Sequence, residues 1–319
     1  MAKILVIDGL ARSGTTLISS IIHSQIHSAC YRGIFHEFLA CNIGRWPFDY
    51  VNYPITEQGV VIDKSLFSWF KAQLNWTSRT SEDKPLKLNY DSFTKHALST
   101  LSRKEQFDKL TYQQWVSFLN ENQPSDLHEL DLLYQNLAKK MDVELLAFRW
   151  NQGIPYMNKW LRKPEHFWLS VVRNPMDRAL SAKKAFNWSY DESVKATSEY
   201  SKKLTDVLDL PNHHVIYFED LISNPVKVIA ELYEFMGLSL SEINLDLVQQ
   251  SGQPYLVETS DLVMEGKKHT HGREFSGFDK KMIGKYRSEM MERDLIKFDG
   301  IFDEFNVLSR YKINEGRVE

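Results

Sequence analysis

The stretch that most constrains this chain lies near its start. Residues 4–8, ILVID, form a short β-branched apolar run, the composition of a strand buried on both faces. GLARSGTT follows at 9–16, and then Leu17, Ile18, Ile21, Ile22 and Ile26 recur at helical spacing. A strand, a glycine loop and a helix in that order open an α/β sheet. Gly9 and Gly14 stand at the spacing of a phosphate-cradling loop, G-x-x-x-x-G-K-[ST], in which successive N–H groups wrap an anion at a helix N-terminus. Thr15, however, occupies the lysine position, and Arg12 is the only local cation. A nucleoside triphosphatase would miss its main contact to the terminal phosphates, and no magnesium-holding acid is evident on a later strand. The loop suits a phosphate-like group, with Arg12 supplying the charge.

Further strands follow the same rule of a short apolar run before a helix. ELLAFRW (144–150) and HFWLSVV (166–172) read as strands, the second leading into a helix after Pro175. HVIYFEDL (214–221) reads as another. The helix behind it starts at Pro225, carries Val228, Ile229, Leu232, Phe235 and Met236 as its apolar stripe, and stops at Gly237. The alternation predicts an α/β fold: a three-layer, P-loop-like parallel sheet flanked by helices. Residues 45–130 differ, with many aromatics (Trp46, Phe48, Tyr50, Tyr53, Phe67, Trp69, Phe70, Trp76) and little β-branched periodicity. They are expected to form a mostly helical insertion, with helices at 65–74 and 112–121. A polar loop at 265–277 and an amphipathic helix near 279–293 close the pattern. There is no repeat or low-complexity linker, so 1–319 is expected to be a single domain containing that insertion.

Composition narrows the partners. The 39 basic and 42 acidic side chains leave a net charge of −3, so any pull on anions is local and a nucleic-acid polymer is not expected. A 43% apolar and 25% charged chain of 319 residues is not disordered, collagen-like or a rod. Two cysteines, Cys30 and Cys41, exclude a disulfide scaffold and read as free thiols. No run of about 20 apolar residues would span a membrane, and the first apolar run is shorter than a signal-peptide core, so a cytoplasmic location is expected. The N-glycosylation patterns NWT (75–77) and NWS (187–189) are then chance matches.

LARSGTTL (10–17) resembles the 5′-phosphosulfate loop of the sulfotransferases that use 3′-phosphoadenosine 5′-phosphosulfate (PAPS). Its arginine form is similar to that of tyrosylprotein and bacterial members. The resemblance implies that Arg12, Ser13, Gly14, Thr15 and Thr16 wrap the 5′-phosphate and sulfonate, with Arg12 also stabilising charge during transfer. VVRNPMDRALSA (171–182) resembles the family's 3′-phosphate motif, which assigns Arg173 and Ser181 to that phosphate. An arginine fork and a hydroxyl donor suit such a group. YFEDLISNPVKVIAELYEFMGL (217–238) is similar to a further family segment, for which a structural role is expected. KKHTHGREF (267–275) resembles the loop that folds over PAPS, so Lys267, Lys268, His269, His271, Gly272 and Arg273 would face the 3′-phosphate and adenine.

The implied reaction is in-line transfer of a sulfonyl group from PAPS to an acceptor hydroxyl. The donor is already activated, so no metal is required. YRGIFHEF (31–38) is where a catalytic base is expected: Glu37 first, His36 second. The insertion would choose the acceptor, which the sequence leaves open among a glycan, a lipid or polyketide alcohol and a phenol. A P-loop kinase of a small metabolite and a non-catalytic nucleotide-binding protein of this fold are the alternatives. Oligomeric state is not legible.

Overall fold

A computed structural model describes residues 1–32, 55–56, 59–60, 109–110, 114, 117–118, 121–122, 127–149, 161, 163–245, 278 and 280–312. Five strands make one sheet in the hydrogen-bonded order β2-β5-β1-β6-β7. They are β1 (Lys3–Gly9), β2 (Ser28–Arg32), β5 (Leu145–Arg149), β6 (His166–Val172) and β7 (His213–Tyr217). Two-residue strands β3 (Ile55–Thr56) and β4 (Gly59–Val60) pair antiparallel by themselves. The sheet is the parallel one expected of α/β alternation. In β2 and β5, Ser28 faces Leu145 and Arg32 faces Arg149; in β6 and β7, Trp168 faces His213 and Val172 faces Tyr217. Every residue of β5 and β6 is buried, as a central parallel strand covered on both faces requires.

The chain divides into two compact units. One holds residues 1–4 and the described part of 19–149. Its core is built from Ile4, Ile21, Ile22, Ala29, Leu137, Ala138 and the β5 residues Leu145, Leu146 and Ala147. Helix α1 (Thr15–Ser24) ends in this unit, and α2 (Leu127–Met141) belongs to it. The helical stripe expected to run on to Ile26 stops earlier. The Gln25 side chain donates to the Ile21 carbonyl (2.6 Å), His27 turns left-handed (φ 57°), and Ile26 is exposed. Within the expected insertion, β3 and β4 are described, and Gln114, Ser117, Phe118 and Glu121 are helical; the helix expected at 65–74 lies outside the described residues.

The second unit holds 5–18 and the described parts of 150–245 and 254–319. Here α3 (Pro175–Phe186) follows β6, α4 (Tyr190–Thr205) follows α3, and α5 (Phe218–Ser223) and α6 (Pro225–Phe235) follow β7. Asn174 caps α3, its side-chain oxygen accepting the N–H groups of Met176 (3.0 Å) and Asp177 (3.2 Å), with Pro175 in the first turn. Helix α4 starts on a capping box. Ser189 Oγ accepts the Glu192 N–H, and the Glu192 carboxylate accepts the Ser189 N–H at 2.7 Å.

Two expectations change in this unit. The strand expected over 214–221 ends at Tyr217, because Phe218, Leu221 and Ile222 are buried at helical rather than alternating spacing. The amphipathic helix expected near 279–293 is instead a chain of short turns. These are a 3₁₀ turn (Lys280–Met282), α7 (Tyr286–Glu289), α8 (Glu292–Leu295), a second 3₁₀ turn (Ile296–Phe298), α9 (Asp299–Glu304) and a third (Asn306–Tyr311). The buried Asp177 carboxylate accepts the backbone N–H groups of Gly284 (2.6 Å) and Tyr286 (3.0 Å). Left-handed Gly284 (φ 75°) and extended Met290 break the helix on either side of α7.

Candidate anion-binding site

The described site lies wholly in the second unit and is built around the loop between β1 and α1. Asp8 is fully buried at the strand end and accepts the Gly9 N–H at 2.6 Å. Gly9 has no room for a side chain: a Cβ there would stand 2.8 Å from Thr15 Cγ2 and 2.9 Å from the Val171 carbonyl. Gly14 is required twice over. Its φ of +100° disfavours any L side chain, and a Cβ would come within 2.4 Å of Phe218 Cδ2. The Gly14 carbonyl accepts the N–H groups of Leu17 (2.9 Å) and Ile18 (3.2 Å) and so starts α1.

Arg12 is the hinge of the loop. Its backbone is left-handed (φ 75°), an uncommon state for a residue with a Cβ. Two cross-contacts hold it there. Arg173 Nη1 donates to the Arg12 carbonyl (3.1 Å), and Arg12 Nε donates to Ser181 Oγ (2.9 Å). Residues 161 and 169 positions apart are thereby drawn into one cluster, joining the loop to the two polar groups of the second motif.

Arg173 is itself fixed on all sides. It leaves β6 directly before the Asn174 cap, and Nη2 donates to the Met282 carbonyl (3.2 Å). Its guanidinium lies 4.4 Å above the Phe218 ring, a cation–π contact. Burial lowers its pKa, and the neighbouring Arg12 lowers it too, while Asp177 and Glu219 work in the opposite direction. Its Nε is buried and has no hydrogen-bond partner among the described residues. A buried guanidinium donor left open beside Arg12 and Ser181 is what an oxyanion would satisfy.

The segment 217–221, expected to act only as structure, reaches the site directly. Phe218 fills the space between Gly14 and the Arg173 guanidinium. Glu219 accepts the Asn174 N–H (2.9 Å) with one oxygen and the Tyr311 hydroxyl (2.6 Å) with the other. Burial, followed by the Glu219 charge, keeps the Tyr311 proton on and the hydroxyl a donor. Arg310 makes a two-pronged pair with Asp220 (2.8 Å each), and the Tyr217 hydroxyl donates to the Val307 carbonyl (3.3 Å). The 3₁₀ turn at 306–311 is thus clasped onto the corner behind Arg173. The apolar stripe of 217–238 concealed these contacts, because one face of α5 satisfies both the core and the site.

Ser13 and Gly14 lie in the loop and Thr15 and Thr16 open α1, with Ser13 and Thr15 buried. The candidate bases Glu37 and His36 lie outside the described residues, as do Lys267, Lys268, His269, His271, Gly272 and Arg273. Among the described residues, no cluster of three or more His, Cys, Asp and Glu could hold a metal ion, and no helix is long and apolar enough to cross a membrane.

Residues 157–312 match the family model described as a sulfotransferase domain. No curated protein matches the chain. The sulfotransferase domain of the curacin biosynthetic pathway is similar in fold, with a TM-score of 0.50 at 13% identity over 95% of this chain and 97% of that one. For the sulfotransferase domain of the Synechococcus olefin synthase the values are 0.47, 13%, and 95% of each chain. Mouse sulfotransferase SULT7A1, solved with PAP, gives 0.45 at 10% identity, over 97% of this chain and 89% of that one.

Proposed function

We propose that this chain, whose residues 157–312 match the sulfotransferase-domain model, is a sulfotransferase, and that the cluster of Arg12, Arg173 and Ser181 is the seat of PAPS. The reaction is transfer of a sulfonyl group. The observation that carries the donor assignment is the Arg12 Nε to Ser181 Oγ bond, with Arg173 on the Arg12 carbonyl. It joins the loop suited to a 5′-phosphosulfate to the motif suited to a 3′-phosphate. The open Nε of buried Arg173 is the donor that a second phosphate would fill. PAPS supplies a sulfonyl group already activated by its bond to a phosphate, so no metal is needed in this reading.

The chain's own residues bind, orient and stabilise. Arg12 and the loop N–H groups hold charge that grows on the sulfonyl and bridging oxygens, a preorganised electrostatic contribution. Arg173 and Ser181 anchor the 3′-phosphate and set the register of the donor. Lys268, His271, Gly272 and Arg273 cover it in this reading. Glu37, or His36 in its place, takes the acceptor proton. The insertion at 45–130, within one domain spanning the chain, selects an acceptor alcohol on a glycan, a lipid or polyketide, or a phenol. A cytoplasmic enzyme acting on such acceptors and not on nucleic acid is the whole proposal.

The test is PAPS-dependent incorporation of labelled sulfate across a library of those acceptors. Arg12→Ala should abolish incorporation, and Glu37→Gln should lower turnover by about 100-fold, the low end for loss of a general base, while PAP binding persists. Full activity in both Glu37→Gln and His36→Gln removes the base from this segment. An Arg12→Ala variant that binds PAP as tightly as the native chain removes PAPS from this loop.

A further inference from the structure

Arg178 sits in the first turns of α3, between Arg173 and Ser181 in sequence, and only 1% of it is exposed. Its Nη2 donates to the Ser193 carbonyl (2.8 Å) and to Thr197 Oγ1 (2.9 Å), both on α4. Nε and Nη1 are buried with no hydrogen-bond partner. The adjacent carboxylate, Asp177, is committed to the backbone N–H groups of Gly284 and Tyr286. Among the described residues, every hydrogen-bond partner of Arg178 is therefore neutral. Burial, followed by repulsion from Arg173, pulls its pKa down to about 10, which leaves it charged at neutral pH.

A cation buried among neutral groups destabilises a fold unless an opposite charge offsets it. None of its contacts supplies one. What the neighbourhood does supply is the proposed donor site: Arg173, whose buried Nε has no hydrogen-bond partner among the described residues, and Ser181, which lies on the same helix as Arg178 and accepts from Arg12. Coulomb energy reaches further than a hydrogen bond, and more so where solvent is excluded. We propose that Arg178 is a third, buried cation of the donor site, which never touches the nucleotide and whose charge raises affinity for the phosphate held at Arg173 and Ser181. This rests on the reading of that cluster as the donor site. It follows that the charge is a burden on the PAP-free protein and an asset to the loaded one.

That opposition is the test. PAP binding by titration calorimetry and melting of the PAP-free full chain are measured for Arg178→Met, Arg178→Gln and Arg178→Lys, with Arg173→Ala as reference. Arg178→Met should weaken PAP binding by about tenfold or more, the order expected on removing a unit charge from the surroundings of a partly desolvated phosphate. Its PAP-free melting temperature should be unchanged or higher, since an apolar side chain replaces an unpaired buried cation. Arg178→Lys, which keeps the charge and loses the fork, should bind PAP within about threefold of the native chain.

PAP binding within twofold of native in Arg178→Met overturns the inference. So does a lysine variant as weak as the methionine one, or a methionine variant that loses stability and affinity together, either of which points to packing. If the methionine variant does not fold, Arg178→Gln is read instead; if neither charge-free variant folds, Arg178 serves the fold and the proposal falls. Should Arg173→Ala also leave PAP binding intact, the donor-site reading itself fails. If Arg173→Ala abolishes binding and Arg178→Met does not alter it, only the role of Arg178 does.

Discussion

Adding one methyl group at Gly14 should damage the site more than its size suggests. Two costs add at this position. A φ of +100° places an alanine outside the regions its Cβ tolerates, worth roughly 1–2 kcal/mol. The new Cβ would also lie 2.4 Å from Phe218 Cδ2 and 2.9 Å from Cε2, where ordinary contact begins near 3.4 Å. The ring is 4% exposed, so it cannot swing out into solvent, and relief of about 1 Å must come from a shift of the ring or the loop, at about 1–3 kcal/mol for overpacking. The total is about 2–5 kcal/mol, a fall in melting temperature of roughly 3–8 °C for a chain of this size. Because Phe218 supports the Arg173 guanidinium, PAP affinity should fall as well. Gly237→Ala is the internal control. Its φ of +70° carries the same kind of strain, but a Cβ there meets nothing within 4 Å, so it should cost about 1 kcal/mol and leave PAP binding unchanged. Thermal melts and PAP titrations of both variants decide the matter. Equal losses in the two, or native-like PAP affinity in Gly14→Ala, would refute the argument that Phe218 couples the loop to Arg173.

Two further outcomes follow from buried titratable groups. His213 is packed between the Val207 carbonyl (2.9 Å) and Ser170 Oγ (3.0 Å), and burial lowers its pKa from 6.5 to about 4. Between those values the unfolded chain binds the extra proton, so stability rises with pH. About 3 kcal/mol should be present above pH 6.5 and be lost as pH falls toward 4. Urea unfolding across that window should show the slope, and His213→Asn should flatten it; an unchanged slope contradicts the assignment. Cys30 is fully buried and its thiol is pushed up to about 12, so alkylation of the native chain near pH 8 should leave Cys30 unmodified until denaturant is added, as read by peptide mass spectrometry. Rapid native labelling would contradict its burial.

The strand–loop–helix opening and the β6 strand were legible because their signals are local. An apolar run, a glycine at fixed spacing or a proline in a first turn acts within a few residues, and His166–Val172 was bounded to the residue. The capping box Ser189–Glu192 is an equally local sign of α4. What sequence could not show was set by distant partners. Nothing near 279–293 announces that Asp177 will take the N–H groups of Gly284 and Tyr286 and break the helix there. The resemblance assigns Arg12 and the pair Arg173 and Ser181 to different phosphates of one nucleotide; the hydrogen bonds among the three are a finding of the structure. The support from Phe218, Glu219 and Tyr311 was not, since those residues also satisfy an apolar stripe and a helix start. Arg178 is hidden in the sequence for a related reason: an arginine on a helix reads as a solvated cation until its burial is known.

The fixation of Arg173 has a consequence for selectivity. An arginine free in water carries about 2 kcal/mol of rotamer entropy, which a ligand that orders it must overcome. Here the Arg12 and Met282 carbonyls and the Phe218 ring already hold the side chain. That ordering was completed when the chain folded, so a phosphate seated there, as proposed, would not be charged for it again. The guanidinium is also prevented from following a misplaced anion. A nucleotide with its phosphate shifted from the 3′ to the 2′ position would find the same charge and no compliance, and discrimination between such isomers would come from rigidity instead of from any contact unique to one of them.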